Sequence, residues 1–155
     1  MHHEHTCEVL WQRAAGEPFV DSRYSRKHTW HFDGGLAVAA SASPLVVAVP
    51  MSEPHAVDPE EAFVASIASC HMLWFLALAA KAGCVVNTYR DCPVGWMDRD
   101  HAGQEWIAKV FLRPRIVFDG EEQPARDAVA ALHHEAHKAC FIARSVKSEI
   151  VISLP

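Results

Sequence analysis

The sequence predicts an α+β protein of order β-β-β-α-β-β-α-β, built around one long buried helix. Three observations carry this. Residues 62–80 hold no Asp, Glu, Lys or Arg, and helix-start and helix-stop residues bracket them. Short runs rich in β-branched and aromatic residues lie on both sides of that stretch. A second, shorter pattern at helical spacing follows near the C-terminus.

The central helix is predicted over residues 58–83. Asp58 is the N-cap, Pro59 takes the first helical position, and Glu60 and Glu61 place negative charge in the first turn. Lys81 in the last turn and Gly83 beyond it form the stop signal. At ~1.5 Å per residue the helix is roughly 37 Å long. Its uncharged length is about that of a membrane span. However, Ser66, Ser69, Cys70 and His71 occupy its centre, and no second hydrophobic span or basic flank accompanies it. It reads as the core helix of a soluble domain, with Cys70 either a small core residue or a reactive thiol.

The other elements follow from local pattern. Residues 7–13 form a first strand that ends at the turn Ala15-Gly16-Glu17-Pro18, and 21–27 is a polar loop or strand entrance. Thr29-Trp30-His31-Phe32 runs into the hairpin turn Asp33-Gly34-Gly35, and 36–42 returns as the third strand. Residues 43–57, with three prolines, connect to the helix. Residues 84–89 form a strand continuing past Pro93 to Met97. Residues 105–118 form a long alternating strand with Trp106, Ala108, Val110, Leu112, Ile116 and Phe118 on one face, and Pro114 marks an edge or bulge. A turn at 119–123 leads to a second helix over 124–140, with an apolar stripe of Ala125, Val129, Leu132, Ala136 and Cys140. Residues 146–152 close the chain as a strand. The whole is one domain, residues 1–155: an N-terminal sheet (1–45), the central helix (58–83) and a β-β-α-β half (84–155). A helix apolar all round needs more cover than the remaining chain supplies, which predicts an obligate homodimer.

Composition narrows the function. Half the residues are hydrophobic and 21% charged, as in a soluble globular protein. A net charge of −5 without a basic run argues against nucleic acid as a partner. Residues 1–6 are polar with no apolar segment after them, so no signal peptide is read and a cytoplasmic location is expected. Five cysteines (7, 70, 84, 92, 140) in a reducing compartment point away from a disulfide framework and toward redox or metal chemistry for any pair that matters. The His-rich start, Met1-His-His-Glu-His, reads as a flexible terminus more readily than as a metal site.

Two constellations are candidates for chemistry. Cys70 in mid-helix and Cys140 at the end of the second helix meet if the helices pack together. A working thiolate needs a cation nearby, and Arg23 and Arg26 are the early candidates, with Glu60 or Glu61 to hold the guanidinium. Glu60 and Cys70 are about 15 Å apart along one helix, so they do not touch within a chain. An arginine bridging them implies two subunits, or Glu60 lying before the helix proper. The second constellation is His133, His137 and Cys140 on one stripe, with His134 turned aside. Imidazoles at i, i+4 with a thiol suit Zn²⁺, while polar positions near a helix C-terminus are the plainer reading. His71 reads as a satisfied, partly buried histidine, and Cys7, Cys84 and Cys92 as structural thiols.

The segment Asp58-Pro59-Glu60-Glu61-Ala62-Phe63, continuing to Ala68-Ser69-Cys70, together with the later run from His137 through Cys140 to Val146, resembles the OsmC/Ohr family of osmotically inducible and organic hydroperoxide resistance proteins. The resemblance runs from the hairpin at 24–42 to the last strand. It implies an intertwined α+β homodimer and a cofactor-free thiol peroxidase that reduces organic hydroperoxides, and H₂O₂ less well, with an external dithiol as reductant. It implies Cys70 as peroxidatic cysteine, Cys140 as resolving cysteine, Glu60 as the family glutamate, and Arg26 as the arginine that holds the thiolate. Arg23 is the alternative, because the hairpin differs by one residue in length. An apolar wall of Phe63, Trp74 and Phe75 would favour alkyl or lipid-like hydroperoxides. Phe141 follows the second cysteine where the organic hydroperoxide branch has proline. Trp30, His71, Trp74 and the histidines at 133–137 mark a less characterised subgroup. Two other classes stay open: a binding module for a small hydrophobic ligand in the dimer crevice, and a metal protein using His133 and His137.

Overall fold

The structure is a computed structural model that describes residues 2–121 and 123–154. Met1, Glu122 in the predicted 119–123 turn and Pro155 at the predicted chain end lie outside the described residues. The chain divides into two compact units, Met1–Ala62 and Phe63–Pro155.

The first unit is a three-stranded antiparallel sheet of β1 (Cys7–Leu10), β2 (His28–Phe32) and β3 (Ala37–Ala40), in that spatial order. Its register pairs Cys7 with Phe32 and His31 with Ala37. The predicted first strand is shortened from residue 13 to Leu10, because Trp11 turns into an aromatic cluster. Trp11, Phe19 and Tyr24 pack with centroids 4.6–5.8 Å apart, and the Trp11 indole N–H donates to the Ser25 carbonyl at 2.7 Å. Gly35 turns the β2–β3 hairpin at a φ of +84°, where a side chain would be strained. At the end of the unit the chain enters α1 (Pro59–Lys81). Asp58 caps it as predicted: its carboxylate accepts the Glu61 N–H at 2.7 Å, and the Glu61 carboxylate accepts the Asp58 N–H at 3.3 Å. This reciprocal pair satisfies two free donors of the first turn.

The second unit holds the rest of α1, then β4 (Val86–Arg90), β5 (Val94–Arg99), β6 (Glu105–Leu112), β7 (Arg115–Phe118), α2 (Arg126–Ala139), α3 (Phe141–Arg144) and β8 (Glu149–Ile152). Each of the two strands predicted between 84 and 118 is broken in two. β4 pairs with β7, while β5, β6 and β8 form a separate three-stranded sheet in which β6 and β8 run parallel. The breaks fall at Pro93 and Pro114, which have no N–H for a ladder. There the Asp91 carboxylate accepts the Arg113 N–H at 2.7 Å in place of a strand partner.

The predicted faces of β6 also need correction. Trp96 pairs with Lys109 but Met97 with Ile107, so the β6 backbone bulges at Ala108. The extra residue reverses the side-chain phase. Ile107 therefore joins Val110 and Leu112 at the core, and Trp106 is left at the surface.

Two apolar clusters hold α1 in place. Ile67 and Ala68 pack on Val110 and Leu112 of β6, with Ile150 and Ile152 of β8 around them. About two to three turns further on, Phe75 and Ala79 pack against Ala136 of α2, Tyr89 of β4 and Ile116 of β7. Complete burial of Phe75 contributes about 1.5–3 kcal/mol. α1 is thus a core helix, although by length and composition it would cross a bilayer. One side is covered by the unit itself; the other, including Leu73 at 60% exposure, is bare in the single chain.

Candidate active site

The predicted thiols lie on the two helices of the second unit. Cys70 sits in mid-α1 and is half-buried. Cys140 is fully buried at the junction of α2 and α3. The second helix is shorter than predicted at both ends. It stops at Ala139 because Cys140 leaves helical space, at φ −65° and ψ 114°. The Cys140 N–H still bonds the Ala136 carbonyl at 2.9 Å, and its Sγ accepts the Ala143 N–H at 3.3 Å. A cysteine thus fills the place that Ser or Asp usually fills at a helix start.

The two sulfurs interact although seventy residues separate them in sequence. The Cys140 thiol is pushed up to about 11, first by burial and then by its hydrogen bond with Cys70. Burial thus disfavours the Cys140 thiolate. Beside the pair, Trp74 lies one turn beyond Cys70 and meets Phe141 edge-to-face with centroids 5.6 Å apart. Phe141 is 66% exposed. Phe75, predicted as part of a substrate wall, is wholly buried and stacks on His133 at 4.3 Å, so it is unavailable to a substrate. Phe63 packs against the Ile67 cluster and lines a cleft of about 380 Å³ with Trp106 and Val146.

The predicted arginines and Glu60 belong to the first unit. The Arg26 guanidinium donates to the Ser22 carbonyl at 2.7 Å and to the Tyr24 carbonyl, and it lies 3.8 Å over the Tyr24 ring. Arg23 is exposed, with its backbone N–H on the Asp21 carboxylate. Glu60 lies in the first turn of α1, not before the helix. Among the described residues neither Arg26 nor Glu60 forms an ion pair. Cys7 and Cys92 are exposed rather than built into a core, and Cys84 packs partly against the Phe75 cluster.

One feature of this region escaped the sequence reading. His71 and His133 are 1% and 2% exposed and hydrogen-bond to each other, His71 Nε2 to His133 Nδ1, at 2.9 Å. The rings are parallel within 2° with centroids 5.3 Å apart. That separation exceeds the nitrogen–nitrogen distance by two ring radii, so the two nitrogens point straight at each other. Burial lowers the pKa of each ring to about 4, and repulsion from His133 and His137 adds to this at His71. Both are neutral at pH 7. The predicted place of His133, a polar flank near a helix end, is therefore wrong. The His133 Nδ1 is committed to His71, while its Nε2 and His137 Nδ1 are buried without a hydrogen-bond partner among the described residues. Among the described residues no three His, Cys, Asp or Glu side chains are grouped to hold a metal. The signal was present in the spacing. Position 133 is four residues after Val129 and three before Ala136, on the apolar stripe itself.

Comparison with known proteins agrees with this architecture. The family model described as OsmC-like protein matches residues 52–154. A solved OsmC-like protein of unknown function from Vibrio cholerae is 48% identical over 99% of this chain and 100% of its own, with a TM-score of 0.96. The chain belongs to the OsmC-like family. Two more distant structures share the fold. The organic hydroperoxide resistance protein OhrB of Bacillus subtilis is 18% identical, covers 97% of this chain and 98% of its own, and has a TM-score of 0.67. The organic hydroperoxide resistance protein of Elizabethkingia anophelis, with crystallant-derived thiocyanate bound, is 15% identical, covers 99% and 96%, and has a TM-score of 0.67. No curated protein matched at a significant level.

Proposed function

We propose that this protein is a cytoplasmic, homodimeric two-cysteine peroxidase that reduces organic hydroperoxides, and H₂O₂ less well, without a cofactor. The observation that carries this is the pairing of a partly exposed Cys70 with a buried Cys140 across two helices. The Cys70 thiolate attacks the terminal peroxide oxygen. The O–O bond breaks, the alkoxide leaves and takes a proton as the alcohol, and Cys70 becomes a sulfenic acid. The Cys140 sulfur then displaces that oxygen, which departs as water with the thiol proton, and a disulfide forms. An external dithiol supplies two electrons and two protons by exchange. Arg26, oriented by Glu60, is assigned to hold the thiolate, and Arg26→Ala is expected to slow Cys70 oxidation more than Arg23→Ala.

The bare, apolar side of α1 supports the homodimer, since a surface of this kind is normally covered. The exposed Phe141 beside the thiols supports an organic rather than an inorganic peroxide. The test is intact-mass spectrometry of the reduced protein after one equivalent of cumene hydroperoxide, with peptide mapping. The expected result is a loss of two hydrogens, located to Cys70–Cys140. Full peroxidase activity in Cys70→Ser would overturn the proposal.

A further inference from the structure

The thiol chemistry does not use the His71–His133 pair, which lies in the core with His133 stacked on Phe75. The pair is expensive to bury. His71 Nδ1 and His133 Nε2 are both shielded from solvent without a hydrogen-bond partner. Two apolar side chains of similar volume would avoid that cost, because removing both members of a buried polar pair is often neutral or stabilising. What an apolar pair cannot supply is direction. Apolar contacts tolerate sliding, whereas an N–H···N bond between coplanar rings at 2.9 Å fails within a fraction of an ångström.

The bond joins the same two helices as the thiols. His71 is the residue after Cys70 on α1. His133 is seven residues, two helical turns, before Cys140 on α2, and so lies on the same face. A disulfide needs Cα atoms about 4.4–6.8 Å apart. A slip of one turn along α2, about 5.4 Å, takes a pair that starts about 5.5 Å apart to roughly 7.7 Å and out of that range. We infer that the His71–His133 hydrogen bond is a positioning element that fixes the register of α2 on α1 and so holds Cys140 within bonding distance of Cys70. This rests on reading Cys70 and Cys140 as the redox couple.

The test is the Cys70–Cys140 disulfide equilibrium in glutathione redox buffers, which needs no peroxide. His71→Leu/His133→Leu is expected to remain folded while its disulfide equilibrium constant falls at least tenfold, about 30 mV. His133→Asn places an amide atom near the position of Nδ1 and is expected to stay within threefold of wild type, whereas His133→Leu falls with the double variant. A structural role alone would not separate Asn from Leu in a redox equilibrium. An unchanged constant in the folded double variant overturns the inference. So does equal behaviour of His133→Asn and His133→Leu, and this comparison decides the matter if the double variant does not fold. If wild type forms no Cys70–Cys140 disulfide in any buffer, the peroxidase reading fails instead and this inference falls with it.

Discussion

Acid should destabilise this protein through His71 and His133, and the size of the effect follows from their burial. In the unfolded chain each ring takes up a proton near 6.5; in the fold, desolvation holds each to about 4. Above 6.5 both states are neutral and the rings contribute no pH dependence. Between 6.5 and 4 the unfolded chain binds protons that the folded chain refuses, so stability falls as the pH falls. One ring then costs about 2 kcal/mol at pH 5 and roughly 3 kcal/mol by pH 4. The two rings titrate as a unit, and repulsion between them makes the single-ring figure a lower bound. The assay is urea denaturation at pH 7.5, 6 and 5 of wild type and of His71→Leu/His133→Leu. Exposed histidines and carboxylates shift both proteins alike, so the difference isolates the pair. Wild type should lose at least about 2 kcal/mol more than the variant between pH 7.5 and 5. Parallel curves would refute the reasoning, because they would mean the rings are solvated or already paired with charge.

Other substitutions test other parts of the fold. Asp58→Ala removes the cap that Glu61 reciprocates and should cost about 1 kcal/mol in denaturant unfolding, with little change in the α1 core. In Gly95→Ala the new Cβ would sit 2.7 Å from Val64 Cγ2, so the variant should be less stable by about 1–3 kcal/mol; adding Val64→Ala should recover part of that loss in the same unfolding assay. Leu73→Arg places a charge on the bare side of α1, and sedimentation velocity should then show monomer where wild type sediments as a dimer. A wild-type monomer would count against the proposed homodimer.

Much of this architecture could be read from sequence because its signals are local. The Asp58-Pro59-Glu60-Glu61 start and the Gly83 stop set α1 within two residues of its observed ends, since capping depends on atoms no more than a turn apart. The β2–β3 hairpin follows from Asp33-Gly34-Gly35 for the same reason. Cys70 and Cys140 could be singled out because each stands on a helical pattern and in a recognisable motif. The alternation of 105–118 was also legible, and Pro114 marked an irregularity in it, but the division into strands of two sheets there and the bulge at Ala108 were not legible. A bulge depends on the partner strand, and that partner was not given by the residues of β6 alone.

What the sequence by itself determined, then, is the order and type of the main elements, because caps, turns and periodicity act over a few residues. Only the tertiary structure decided how the long hairpin divides between two sheets. It also showed that Phe75 lies in the core, and that His71 and His133 meet in the interior although they stand 62 positions apart in the chain. A histidine carries no mark of whether it will face water, a metal or another histidine. Packing makes that choice, by deciding which groups are desolvated together and which lone pair finds an N–H.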